Sequence, residues 1–520
     1  MRSLHSTTAS LSGARPRFGL PVVCTAGAGV LVFLLANSGL GALSARLLLF
    51  LALLAQGILF TWTLKAFWAR EQRDLFHPLV YISLVGVLPM NLIKGTALLL
   101  GSESSVSRQL GASLIPFTAE ALAAACVGMG FLTIGYMSPV GDWVVTKVKL
   151  PKIPMFRLEK PGSWLAILLV SVVGTAVNYE LMRLGRFGSA LGTWDESKTT
   201  LISLLLPLSR LFAVGLFLAF FCTRKLWPTP VWKGVTMAML SIALLLALMT
   251  GGRSALFSYA MIAIAGVSYG YFSDLSMLFV GRLVAVAAAA LVVGVIFGST
   301  FRDLRTSYGY GAQLTPTETL ALTEETSQET SEKNISDLFD LFSNKFLSRL
   351  SAMEQFAVTL DRADSLKAQE RALGMDNNII KETFWAFIPR PLYPNKPIVS
   401  NFGLHFSQLY LDSPYRSWAG PSIFGDLYRN FGWWGIPLGM FLLGVILRVV
   451  YLKYVLQSIG NGLSNVYYYL VLTSVGYEGV YSTVISGIVR MAFLLILTLA
   501  VFLALGGISP ARHGRPRMAR

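Results

Sequence analysis

Charge is scarce in this sequence. Asp, Glu, Lys and Arg make up 13% of its 520 residues, about half the roughly 25% of an average soluble domain, too little to clothe a large water-facing surface. Cysteine is scarcer: Cys24, Cys126 and Cys222 stand far apart, each inside an apolar run. They make no disulfide framework and no zinc-type spacing, and read as small apolar residues. Histidine occurs only at 5, 77, 405 and 513, without the neighbouring ligands that a metal site needs. No metal or other cofactor is expected. No internal repeat relates the two halves of the chain, which argues against the two-repeat transporters.

Apolar residues are what is abundant. They make up 54% of the chain, and mean hydropathy is +0.60. A helix needs about 20 mostly apolar residues to cross roughly 30 Å of hydrocarbon. Runs of that kind lie near 20–37, 45–64, 78–100, 112–137, 163–182, 200–222, 233–250, 254–272, 277–299, 433–452, 465–485 and 487–507. They predict an all-α polytopic integral membrane protein of about 12 transmembrane helices with one large extracytoplasmic loop. The first run is followed by no small-residue cleavage site and reads as an uncleaved anchor.

Lys and Arg alternate from loop to loop, which sets orientation. Arg2, Arg15, Arg17, Lys65, Arg70, Arg73, Lys147, Lys149, Lys152, Arg157, Lys160, Arg224, Lys225, Lys233, Arg448, Lys453 and the tail arginines 512, 515, 517 and 520 fall on one side. The intervening short loops hold fewer: Arg46, Arg108, Arg183, Arg186, Lys198, Arg253 and Arg490. Both termini are therefore expected in the cytoplasm. The net charge of +16 is spread over cytoplasmic loops and tails, where topology and anionic headgroups explain it; nucleic acid is not an expected partner. The predicted organisation is a tail at 1–19, a first bundle at 20–299, the loop at 300–432, the last helices at 433–507 and a basic tail at 508–520.

The loop is too long for a connector, and function concentrates in such places. It opens with an acidic, Thr- and Ser-rich stretch, "TPTETLALTEETSQETSEKNISD". In the next segment Ile335, Leu338, Phe339, Phe342, Phe346, Leu350, Met353, Phe356 and Leu360 recur at spacings of three and four. That is one apolar stripe of a helix lying on the membrane surface or on the bundle. Arg349 stands beside the stripe, as a ligand-binding or a snorkelling residue. From 385 to 432 helical period is lost, and prolines 389, 391, 394 and 397 predict an extended, stiff backbone. Arg390 and Lys396 would there be held rigidly near the interface with Trp385, Phe387 and Tyr393, either to meet an anionic group or simply as an anchor.

The stretch "IPRPLYPNKP", the later "GPSIFGDLYRNFGWWGIPLGMFLLGVILR" and "TGGRSAL" at the head of a span together resemble the signature of the bacterial oligosaccharide repeat unit polymerases, the O-antigen polymerase family. The likeness covers the whole topology, while its specific motifs occupy about 60 residues. One departure is that Asp426 stands where the pattern would place a glutamate. The resemblance implies a bacterial inner-membrane enzyme with an architecture similar to lipid-donor membrane glycosyltransferases and with its large loop in the periplasm. It implies transfer of a growing glycan from a polyprenyl diphosphate carrier to an incoming lipid-linked repeat unit, alongside a chain-length regulator and a flippase of the same pathway.

That chemistry needs cations for the leaving diphosphate and a base for the acceptor hydroxyl. Arginine suits the first task because its planar fork binds phosphate bidentately. Arg253 follows Gly251 and Gly252, which permit close backbone approach, at a helix N-terminus that adds amide donors. Arg390, with Lys396 and Arg416, supplies the loop candidates. His405 in "NFGLHFSQLY" is the only histidine on the reactive side, and Asp426 is the competing carboxylate. Tyr428 and Asn430 are candidates for orienting sugars. Each also has a structural reading, as a topological or headgroup contact or a packed loop residue. Lys94, Glu120, Arg210, Arg282 and Glu478 fall within predicted spans, where ionisable groups mark a polar cavity, a transport path or internal pairs. A lipid-linked sugar flippase and an O-antigen ligase are therefore the rival expectations.

Overall fold

In a computed structural model, the described residues are 19–37, 42–68, 74–101, 114–155, 161–184, 199–223, 229–249, 253–271, 350–388, 402–412 and 420–506, with isolated positions between them. Their regular structure is helical, with no strand among the described residues. Eight helices are long and apolar enough to cross a membrane: Ala45–Phe67, Pro78–Leu99, Ile115–Met137, Gly162–Arg183, Leu204–Phe221, Pro230–Ala247, Ser422–Ser458 and Tyr481–Ala504. Two shorter apolar helices, Pro21–Val30 and Leu256–Gly270, accompany them.

The described residues divide into two compact units that interleave along the chain. The first comprises Met1–Leu150, Ala352–Lys367 and Pro421–Lys453; the second comprises Pro151–Ser351, Ala368–Gly420 and Tyr454–Arg520. This division cuts across the predicted order of bundle, loop and last helices, because parts of the loop belong to each unit.

The first unit holds α1 (Gly19–Asn37), α2 (Ala42–Thr63), α3 (Pro78–Leu99), α4 (Ile115–Met137) and α5 (Pro139–Lys147). Within α3, the stretch Ser83–Ile93 around Pro89 is wound as a π-helix. Proline has no N–H to give to the α ladder, and wider turns of this kind recur at functional places. Helix α4 is the axis of the unit: α1 and α2 pack on it, and its small residues Ala119, Ala121, Ala123, Ala124 and Ala125 are buried. Small faces let helix backbones approach closely.

The second unit holds α6 (Pro161–Arg183), α7 (Thr199–Leu208), α8 (Arg210–Phe221), α9 (Pro230–Met249) and α10 (Arg253–Gly270). The predicted span 200–222 is irregular at Ser209, two residues beyond Pro207, but Ser209 keeps helical φ and ψ of −58° and −26° and donates to the Leu205 carbonyl at 3.0 Å. The Asn178 amide of α6 donates to the Ser209 carbonyl at 3.0 Å, giving that carbonyl a partner from a neighbouring helix. Beyond Ser209, α8 is buried on every face from Leu211 to Ala219.

The loop and the last helices continue the series as α11 (Ala352–Ala372), α12 (Asn378–Ala386), α13 (Phe402–Tyr410), α14 (Ser422–Phe431), α15 (Gly435–Tyr454), α16 (Gly462–Thr473) and α17 (Tyr481–Ala504). Four expectations change here. The amphipathic helix does not run unbroken through 360: Leu350 and Ser351 are non-helical and α11 starts at Ala352. Met353, Glu354, Phe356, Ala357, Val358 and Thr359 are all buried, so of the two expected placements the beginning of α11 takes the packed one and not the membrane surface. The 385–432 segment contains α13 and α14, so its backbone is not extended throughout; the prolines stand outside these two short helices, and the run at 389–397 lies outside the described residues apart from Tyr393. Glu478 lies in the connection between α16 and α17, and Arg490 lies inside α17 and not in a loop. The predicted span 277–299 falls outside the described residues apart from isolated positions.

Candidate functional site

Helix α14 carries three of the candidate residues. It starts at Ser422, whose φ of 69° is left-handed, with the Gly425 amide donating to the Ser422 hydroxyl at 3.3 Å. It ends at Gly432, whose φ of 64° is the conformation glycine adopts most readily. Two aromatic rings pin the helix: Phe424 lies 6.1 Å from Phe356 of α11, nearly parallel. Phe424 also lies against α4 where Gly128 leaves space, and a Cβ at 128 would approach its ring to 2.5 Å.

On this helix Asp426 is wholly buried. Its Oδ1 accepts from Arg429 Nη2 at 3.2 Å and from Asn430 Nδ2 at 3.1 Å. The same Asn430 amide donates to the Asp426 carbonyl at 2.8 Å. Residues three and four apart share a helix face, so "DLYRN" builds this clamp locally. The result is a carboxylate held in part by its own helix and closed to bulk solvent. Tyr428 is half-buried, edge-on to Trp433 at 4.9 Å, and feels the charges of Asp364 on α11 and Glu120 on α4.

A second buried pair lies in the same unit. Lys94 Nζ, just past the π-wound stretch of α3, is 3.2 Å from Glu354 Oε1 of α11, and both side chains are almost fully shut off from solvent. Two charges out of water hold together only where each is the other's solvent. Elsewhere in the unit, Gln56 of α2 is buried with neither end of its amide hydrogen-bonded among the described residues. A third polar cluster ties the ends of α3, α4 and α15. Tyr451 donates to Asp74 at 3.0 Å, the Tyr136 hydroxyl and His77 Nε2 are 2.8 Å apart, and Arg448 reaches Asp142 at 3.2 Å while lying over the Tyr136 ring. His77, expected merely on the cytoplasmic side, is completely buried here.

The other candidates lie elsewhere. Arg253 belongs to α10 (Arg253–Gly270), and the glycines before it lie outside the described residues. His405 is a half-buried residue of α13. Both belong to the second unit, whereas Asp426, Tyr428 and Asn430 belong to the first. Arg349, Arg390, Lys396 and Arg416 lie outside the described residues. Sequence reading passed over Arg429 and Glu354. Arg429 was legible as the i+3 partner of Asp426; Glu354, set in an apolar stripe, was legible as the one acid that the stripe would have to bury.

Among the described residues no group of three His, Cys, Asp or Glu side chains is placed to hold a metal ion. Comparison with family models, with curated proteins and with solved structures finds no match for this chain.

Proposed function

We propose that this chain is a membrane glycosyltransferase that polymerises polyprenyl-diphosphate-linked oligosaccharide repeat units into a surface polysaccharide, working at the periplasmic face of the bacterial inner membrane. The observation that supports it most is the character of "GPSIFGDLYRNFGWWG": the stretch that carries the family resemblance is also the stretch that folds into α14, with a buried Asp426–Arg429 pair.

In this reading the acceptor hydroxyl oxygen attacks the anomeric carbon of the growing chain. The bond from that carbon to the diphosphate oxygen breaks, and the lipid diphosphate leaves with the electron pair. Arg253, Arg390, Lys396 and Arg416 stabilise the charge that develops on it. Arg349, Tyr428 and Asn430 serve the glycans, and His405 takes the hydroxyl proton. Asp426 is closed to solvent, so its part is to fix Arg429 and Asn430 and not to exchange protons with substrate. A chain-length regulator and a flippase of the same pathway are the partners this reading implies. The buried Lys94–Glu354 pair favours one second reading, a flippase for the same lipid-linked glycan, since pairs of this kind line transport paths.

Deleting the gene in the native host and resolving extracted carrier lipids and surface glycan separates these readings. Single repeat units at the periplasmic face without polymer support the polymerase. Repeat units trapped at the cytoplasmic face establish the flippase instead, and finished polymer left on its carrier establishes a ligase.

A further inference from the structure

Helix α12 carries large apolar residues on its outer face. Asn378 and Glu382 are buried beside Ile379, while Ile380, Phe384 and, just past its end, Phe387 are exposed together with Lys381. Ile380, Phe384 and Phe387 recur at spacings of four and three and make one stripe. The buried side lies on α17, where Asn378 donates to the Ser482 hydroxyl at 3.3 Å. An outward stripe of Ile and Phe with a lysine beside it suits a membrane interface, where apolar groups meet hydrocarbon and the cation meets headgroups.

Helix α17 presents a matching feature. Phe493, Ile496 and Leu503 are exposed, and Arg490 is exposed at the head of the same stripe. Fourteen residues separate Arg490 from the end of the helix at Ala504, about 21 Å of the roughly 30 Å of hydrocarbon. Arg490 thus belongs to a helix long and apolar enough to cross a membrane, where an arginine without a close counter-charge is costly. It makes no hydrogen bond and no close ion pair among the described residues. The acid whose charge it feels is Glu382 of α12. The other cation on these two helices, Lys381, is held by Asp376 at 2.8 Å.

We propose that Arg490 and the outward faces of α12 and α17 bind one anionic phospholipid, with its phosphodiester on Arg490 and an acyl chain along Phe493, Ile496 and Leu503. Charge selects this occupant. The guanidinium offers one positive charge with the Glu382 carboxylate in its field, so a singly charged phosphodiester meets less repulsion there than a diphosphate, which brings at least one more negative charge against Glu382. The site stands apart from the reaction proposed above and does not depend on it.

The test uses the purified full-length protein and native mass spectrometry in detergent with added phosphatidylglycerol or dioleoylglycerol. The wild type retains one phosphatidylglycerol, and Arg490→Gln weakens its retention about tenfold, equivalent to roughly 1.4 kcal/mol. Glu382→Gln keeps or strengthens it. Equal retention by wild type and Arg490→Gln, or equal retention of dioleoylglycerol, overturns the site. Should Arg490→Gln fail to fold, Phe493→p-benzoylphenylalanine in the otherwise unchanged chain captures phosphatidylglycerol on irradiation. Capture of phosphate-free lipid alone, or displacement of the phospholipid by polyprenyl diphosphate, counts against it.

Discussion

Lys94 and Glu354 meet at 3.2 Å with 3% and 0% of their side chains exposed. One comes from a predicted span and the other from what sequence alone assigns to a loop, so this contact brings the loop into the interior of the first unit. A buried pair is weak evidence for stability, because desolvation consumes most of the Coulomb gain, but removing one partner leaves the other charge stranded. Lys94→Met should therefore destabilise the protein by about 3–5 kcal/mol, read as a lower midpoint of thermal unfolding in detergent. The double variant Lys94→Met with Glu354→Met should recover most of that loss. A single variant as stable as the double would mean that the pair is not closed in the folded protein.

Asp426 makes a comparable prediction by a different route. Arg429 and Asn430 bond to it from its own helix, so Asp426→Ala removes a buried counter-charge of Arg429 and should lower abundance and polymer together, at a cost of about 3 kcal/mol. A variant that kept normal abundance while losing all polymer would assign Asp426 to the chemistry.

Arg253 and Arg390 separate from Asp426 in the opposite sense. Arg253→Ala and Arg390→Ala should each shorten or abolish polymer by roughly 10²–10³ in rate, the usual loss on removing one electrostatic stabiliser of a leaving group. Protein abundance should stay unchanged. A fall in abundance in parallel with polymer would return these arginines to structural roles.

Much of the architecture is legible in the sequence where apolar runs are long, as in α2, α4, α6, α9 and α17, because hydrocarbon imposes both length and composition on a crossing helix. It is less legible where a polar helix is buried. In α11, hydropathy is low although Glu354, Phe356 and Thr359 are all inside, and only tertiary pairing with Lys94 makes that tolerable. In α13 and α14, flanking Pro and Gly mask nine- and ten-residue helices that are too short for a hydrophobic period to stand out. For the candidate site, the local pair Asp426 and Arg429 follows from helix spacing. No local pattern could have matched Lys94 to a residue 260 positions away.

Asp376 offers a contrast in magnitude. Lys381 donates to it at 2.8 Å, and this hydrogen bond holds its carboxyl below the ordinary value of 3.8. A carboxylate depressed on folding stabilises the native state above its unfolded pKa, and that contribution is lost as pH falls through the folded one. The loss therefore lies below pH 3.8. The pair is partly exposed, so Lys381→Met should change stability by no more than about 1 kcal/mol at neutral pH. A larger loss in thermal unfolding at pH 7 would show that the turn before α12 depends on it.

The crossing of α4 and α15 is set by small residues on both helices. Gly135 lies against the Phe441 carbonyl, and Gly444 lies against that of Leu132. An added methyl at either position must push one backbone away from the other, because a carbonyl cannot swing aside as a side-chain tip can. Gly135→Ala should thus cost about 1–3 kcal/mol in spite of the better helix propensity of alanine. Gly57→Ala in α2, where an added Cβ meets nothing within 4 Å, should gain about 0.5–1 kcal/mol from propensity alone. Measured side by side by thermal unfolding, opposite signs confirm that α4 and α15 touch backbone to backbone. Equal signs would mean that they pack further apart.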